Sequence, residues 1–166
     1  MPLKFREIKP DQASEIETIS VLAKSILHEF YGPQMPKHHI NYFLDKFQST
    51  DAIKEQLNDS WKYYLIELKD VSIGYMGICF EREKMVLSKL YVLANQRNMG
   101  AGKAAMILTE SIARKNGIKE LELRVNQMNI RAIKFYKNYG FRVADDISTD
   151  YESGHTEHDY IMIKKL

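Results

Sequence analysis

The chain holds a single cysteine, Cys79, among its 166 residues, so no internal disulfide can form and a reducing compartment is expected. Cys79 sits in the strand-like run Ile78-Cys79-Phe80, where a thiol is usually inert filler rather than a nucleophile. Neither sign of charge is in excess, since 24 Lys and Arg face 22 Asp and Glu for a formal net of +2. Both signs are interleaved along the chain, so no sequence-wide field marks a nucleic-acid binder. Apolar runs stop far short of the ~20 residues a membrane helix needs, and the opening MPLKFREIKP lacks the apolar core of a signal peptide. A cytoplasmic protein that acts on small ligands is the expectation. No repeat or low-complexity tract divides the chain, which reads as one domain over 1–166.

What is present centres on residues 85–117, MVLSKLYVLANQRNMGAGKAAMILTESIARKNG. Leu87, Leu90, Val92 and Leu93 sit among β-formers with no helical period, whereas Ala104, Ala105, Ile107, Leu108, Ile112 and Ala113 recur every three to four residues. The segment therefore predicts strand, glycine-rich turn, helix. Glycines at such a turn let the backbone approach a ligand, and the outward amides of a helix start, at the positive end of its dipole, suit a phosphate or pyrophosphate. Arg97 and Lys103 add cationic groups at the same place.

The rest of the chain surrounds this unit. Residues 3–8 alternate as a first strand ended by Pro10, and a helix capped by Asp11 runs to Gly32-Pro33. Residues 36–47 and 50–57 carry helical spacing, the second capped by Thr50 or Asp51. Residues 61–67, 71–83 and 85–93 read as an antiparallel meander with a tight Lys69-Asp70 turn. Residues 118–125 form a strand made parallel to the 85–93 strand by the intervening helix. A helix over 129–139 leads to a closing pair at 141–144 and 159–164. The fold class is α/β: a mixed, mostly antiparallel sheet with one central parallel pair, flanked by helices.

Three phosphate-binding patterns compete for the turn. A P-loop fails, because Arg97 stands where its first glycine belongs and Ala104 follows Lys103 where Ser or Thr is required. The dinucleotide fingerprint fits Gly100, Gly102 and Ala105, but a Rossmann fold would normally open with this unit rather than reach it after helices and a meander. The third pattern is R-x-x-G-x-G after a strand, matched by Arg97-Asn98-Met99-Gly100-Ala101-Gly102. Downstream, the run from Asn129 to Phe141, NIRAIKFYKNYGF, matches N-x-x-A-x-x-F-Y-x-x-x-G-F. Both blocks, in this order, resemble the GNAT superfamily of N-acetyltransferases.

The resemblance implies that the parallel strands splay apart and that acetyl-CoA lies in the V between them, with no metal. It implies that backbone groups of Leu90, Tyr91 and Val92 pair with the pantetheine arm, and that Arg97, Asn98, Met99, Gly100, Ala101, Gly102 and Lys103 hold the pyrophosphate. Asn129 would contact the cofactor arm, and Tyr136 would be the general acid near the sulfur. The acceptor wall would draw on His28, Phe30, Tyr31, His38, His39, Tyr42 and Phe43, all of which are otherwise ordinary core or helix surface. The base is less defined: Glu122 is the candidate, although on an alternating strand it is equally a solvated partner for Arg124.

Residues 144–160 carry Asp145, Asp146, Asp150, Glu152, Glu157 and Asp159, read as a flexible acidic loop that would attract a cationic amine. Its length, the closing HDYIMIKKL and the helical 36–57 segment resemble spermidine/spermine N-acetyltransferases of the bacterial PaiA type. His155 and His158 have H-x-x-H spacing but no third placed ligand for zinc. The expected activity is acetyl transfer to a polyamine or other small amine. A protein N-terminus or lysine, or a silent acyl-CoA-binding sensor, is the alternative. Expected partners are acetyl-CoA, the amine and a second copy in a homodimer, with no nucleic acid and no membrane.

Overall fold

The computed structural model describes residues 2–166, and within them the sequence periodicities resolve into a sheet with helices on both faces. Leu3–Ile8 forms β1 and is followed by Ala13–Tyr31 (α1), Lys37–Phe47 (α2) and Thr50–Asn58 (α3). The meander is Lys62–Leu68 (β2), Val71–Glu81 (β3) and Lys84–Val92 (β4), and a single 3-10 turn at Ala94–Gln96 leads to Ala101–Lys115 (α4). Glu120–Asn126 (β5), Ile130–Asn138 (α5), Arg142–Asp150 (β6) and Thr156–Lys165 (β7) complete the chain. The seven strands lie in the order β1-β2-β3-β4-β5-β7-β6. Neighbours pair antiparallel except β4 and β5, which run parallel as expected.

Alternation gives each strand two apolar faces, and the helices divide between them. Ala105, Met106 and Ala113 of α4 and Ile133 of α5 pack against Met85, Leu87, Leu121 and Leu123. On the opposite face Ile16, Ile19 and Ala23 of α1 and Ile53 of α3 meet Tyr63, Leu65 and Tyr75. Each large apolar side chain so buried contributes about 1.5–3 kcal/mol before the entropy of ordering is subtracted. The Lys69-Asp70 turn is as predicted, with both residues left-handed at φ 53° and 62°, the twist a two-residue hairpin requires.

Three expectations need correction. The residue before α1 is Gln12 rather than Asp11; the Gln12 side chain folds back to accept from the Lys9 amide at 2.7 Å, and no side chain caps the helix. Helix α3 is capped by Ser49, whose hydroxyl accepts from the Ala52 amide at 3.2 Å, leaving Asp51 in the first turn where its charge complements the helix dipole. The stretch 144–160 is not a loop: β6 and β7 pair from Arg142↔Ile163 to Asp150↔Thr156, and 151–155 alone makes the turn. Half of its six acidic side chains, Asp145, Asp146 and Asp150, sit on the outer edge strand β6, which lacks the apolar alternation a buried strand would show.

Candidate active site

Strands β4 and β5 pair over four residue positions, from Lys84↔Glu120 to Leu87↔Leu123, and then part. The next residue, Ser88, is the extra one in a bulge, because Ile78 of β3 faces Leu87 while its neighbour Gly77 faces Lys89. Beyond the bulge β4 keeps its bonds to β3, but its other edge has no strand beside it. Those backbone groups are free to pair with an extended ligand, except the Val92 carbonyl, which accepts from Arg97 Nε at 3.2 Å.

A cavity of about 500 Å³ opens at the divergence. Its walls include Leu90, Tyr91, Val92, Arg97, Asn98, Gly100, Ala101, Gly102, Lys103, Asn129 and Tyr136, eleven of the positions singled out in the sequence. Met99 is not among the lining residues and stands 51% exposed. The turn is shaped by Asn98 and Gly100, with φ of 68° and 82°. The Ala104 amide bonds back to the Gly100 carbonyl at 3.0 Å, so the amides of Gly102 and Lys103 precede the first helical bond and face outward. Gly102 is needed for contact: a Cβ there would lie 3.2 Å from the Phe135 ring. Arg131 of α5 donates to the Asn98 side chain at 2.5 Å, tying the turn to the helix that carries Tyr136.

Helix α5 is placed by Asn129, whose side chain accepts from the Ala132 amide at 3.2 Å. Tyr136 then projects into the cavity, its ring edge-on to Phe135 and Phe141 at 5.3 and 5.7 Å. Burial pushes its hydroxyl up to about 12, so it holds its proton across the neutral range.

A second cavity, about 320 Å³, lies on the α1 and α2 side of the sheet and shares Tyr31, Ser88, Tyr91, Arg124 and Asn126 with the first. The two therefore meet where β4 and β5 separate. Of the aromatic and histidine residues expected in an acceptor wall, Tyr31, His39 and Phe43 line this second cavity, and Phe30 and Tyr31 line the first. His28 instead bonds Asn41, and His38 bonds the Ser153 carbonyl. His39 is fully buried, with Nε2 at 2.9 Å from Glu157 and Nδ1 at 2.6 Å from the Ser153 hydroxyl, which fastens α2 to the β6–β7 turn.

Glu122 lines the second cavity and not the first. It accepts from Lys84 at 2.8 Å; the alternative pairing with Arg124 is not formed. Lys89, just past the bulge, is brought down to about 8 by burial, and its ammonium lies 5.6 Å from the centre of the Phe43 ring. The Cys79 thiol is pushed up to about 11 by burial, in keeping with inert filler. His155 packs tilted against His39, ring centres 4.4 Å apart, His158 bonds Ser148, and among the described residues no group of three or more metal-ligating side chains gathers.

Sequence reading passed over Asp159 as part of the acidic stretch. It lines the second cavity and is 4% exposed, and among the described residues nothing donates a hydrogen bond to its carboxylate. A signal existed: along β7 it shares a face with Ile161 and Ile163, so a charge occupies an inward position of the alternation. Burial first, then the neighbouring Glu157, raises its carboxyl from 3.8 to about 6, against the pull of Arg124 and His158. The folded state thus prefers the protonated acid, and its stabilising effect is complete below 3.8 and lost as pH rises through about 6. Asp159→Asn is expected to flatten this decline, with a Tm gain over the parent at pH 8 that vanishes at pH 4.

Residues 24–141 match the model of the acetyltransferase (GNAT) family. The chain is 34% identical over 136 residues to an uncharacterised N-acetyltransferase of Mycobacterium tuberculosis, covering 81% of this chain and 86% of that one. It is 23% identical over 150 residues to the spermidine N(1)-acetyltransferase of Thermoplasma acidophilum, covering 87% of this chain and 93% of the relative. Among solved structures, the PaiA N-acetyltransferase of Thermoplasma acidophilum in complex with coenzyme A superposes with a TM-score of 0.82 at 22% identity, each chain covered in full. That last likeness is one of fold.

Proposed function

The chain belongs to the GNAT acetyltransferase family and is an N-acetyltransferase with acetyl-CoA as co-substrate, and we propose that it acetylates a small primary amine, a polyamine first. The observation that carries this reading is the junction at Ser88, where one cavity suited to the thioester opens into another lined by carboxylates.

In this reading the free edge of β4 at Leu90, Tyr91 and Val92 pairs with the pantetheine arm. The outward amides of Gly102 and Lys103, with Arg97 and Lys103 side chains, hold the diphosphate. Asn129 keeps α5 against the arm, and Tyr136 gives a proton to the sulfur as the C–S bond breaks. Gly102→Ala is expected to weaken acetyl-CoA binding about tenfold, roughly 1.4 kcal/mol, because the added methyl presses on the Phe135 ring and shifts the turn that presents the amides; calorimetry measures it.

The PaiA-type reading draws support from the Thermoplasma relative and from Glu157, Asp159 and Glu122 in the second cavity. A second reading is favoured by Lys89 and Arg124, which line the same cavity and form no ion pair among the described residues: an amine that also carries a carboxylate. Free CoA release over a panel of spermidine, spermine, putrescine, free amino acids and peptides separates them. Turnover of polyamines above the rest supports the first reading, and amino acids above polyamines the second. Turnover of peptides alone contradicts both. No turnover, with acetyl-CoA still bound, contradicts enzymatic amine acetylation and points to a sensor.

A further inference from the structure

We infer that Asp159 is the general base of the transfer, the group that takes the proton of the incoming amine at the junction of the two cavities; this rests on the amine-acetylation reading above and adds a residue to it. Its position is set by pairing. Asp159 of β7 lies opposite Asn126 of β5, and Asn126 lines both cavities, so the carboxylate is held beside the passage where amine and thioester meet.

The other carboxylates of the second cavity are already engaged. Glu122 accepts from Lys84 at 2.8 Å, Glu81 lies 3.7 Å from the same ammonium, and Glu157 shares a 2.9 Å bond with the buried ring of His39. Asp159 alone among them is 4% exposed and without a donor among the described residues. Among the described residues no buried side-chain oxygen lacks a partner, so the donor-free oxygens of Asp159 are open to the cavity they line, where a charged partner lowers the cost of an ionised carboxylate. An ammonium entering the cavity would be that partner. The Ser88 hydroxyl at the bulge is no base at neutral pH.

The titratable and charged groups whose fields reach Asp159 come from several elements: Tyr31 of α1, Tyr91 of β4, Arg124 of β5, Glu157 of β7 and Tyr151 of the turn, with His158 acting from the opposite face of β7. The phenols are held neutral by burial, so Arg124 is the one fixed cation near it, against the charge of Glu157. A carboxylate raised to about 6 is ionised at neutral pH yet accepts a proton more readily than an ordinary one.

The step balances. The bound ammonium gives one proton to Asp159, and the freed nitrogen lone pair forms the C–N bond to the thioester carbonyl. The C–S bond breaks and its electron pair leaves on sulfur, which takes the Tyr136 proton. The second proton shed by nitrogen returns Tyr136 to its phenol, and Asp159 releases its own to water.

The test uses the full-length protein and an amine that it turns over. Asp159→Asn is expected to lower kcat/KM by about 100-fold or more, to abolish the acidic limb of the kcat/KM profile near pH 6, and to leave acetyl-CoA affinity within about twofold. Glu122→Gln is expected to keep that limb. If the Asn variant no longer binds acetyl-CoA, Asp159→Glu decides: an acidic limb must survive in it, and a flat profile overturns the assignment. Activity of Asp159→Asn within about fivefold of the parent, or a KM increase with the limb intact, also overturns it. Parent protein inactive on every amine would instead overturn the acetylation reading and take this inference with it; an active parent with an unaffected variant overturns the base alone.

Discussion

Replacing Tyr136 by phenylalanine is expected to lower kcat by about 100-fold while acetyl-CoA binds as before, since one positioned general acid contributes ~10²–10⁴. The ring would keep its packing on Phe135 and Phe141, because the substitution removes the oxygen alone. What disappears is a phenol held protonated by burial and facing the cavity where β4 and β5 part. Charge develops on sulfur during C–S cleavage, and a donor fixed in a poorly solvated wall costs no reorganisation when that happens. An unchanged kcat would assign Tyr136 to the core, which is where its helical face alongside Ala132 and Phe135 would otherwise put it.

Gln48→Leu is expected to cost about 2 kcal/mol, read as a Tm lower by about 6 °C for a chain of this size. Gln48 is 1% exposed and accepts from the Tyr75 hydroxyl at 2.5 Å while donating to Tyr63 and to the Phe47 carbonyl. Tyr63 and Phe47 each keep a second partner in Gln56, but the hydroxyl of fully buried Tyr75 would be left with none. Losing one partner of a buried pair costs the desolvation of the other; removing both does not. Gln48→Leu with Tyr75→Phe should therefore recover most of the loss, and a double variant as unstable as the sum of the singles would show that the cost is steric. The pair matters to the site because the Tyr75 ring supports Tyr91, at 5.7 Å, in the wall common to both cavities.

Legibility followed periodicity. Leu3–Ile8 and the strand-turn-helix unit could be read from alternation and a glycine turn because one face of each is buried and the other is not. The caps of α1 and α3 were misplaced by one or two residues because Asp11 and Gln12, or Ser49, Thr50 and Asp51, compete for one role that local geometry decides. Strand β6 was read only to 144 and its remainder taken as loop for a different reason: on an edge, its side chains need not alternate apolar with polar. Asp159 was hidden with it, since its meaning comes from a register with Asn126 that no local pattern encodes. Lys84 capturing Glu122 across the parallel pair is likewise a tertiary fact.

Backbone amide resonances during titration with acetyl-CoA test the account at its centre. Binding between the diverging strands predicts the largest shifts at Leu90, Tyr91 and Val92 and at Gly102 and Lys103, with slowed hydrogen exchange at those amides. Saturation with those amides unmoved, and the changes gathered elsewhere on the sheet, would contradict it.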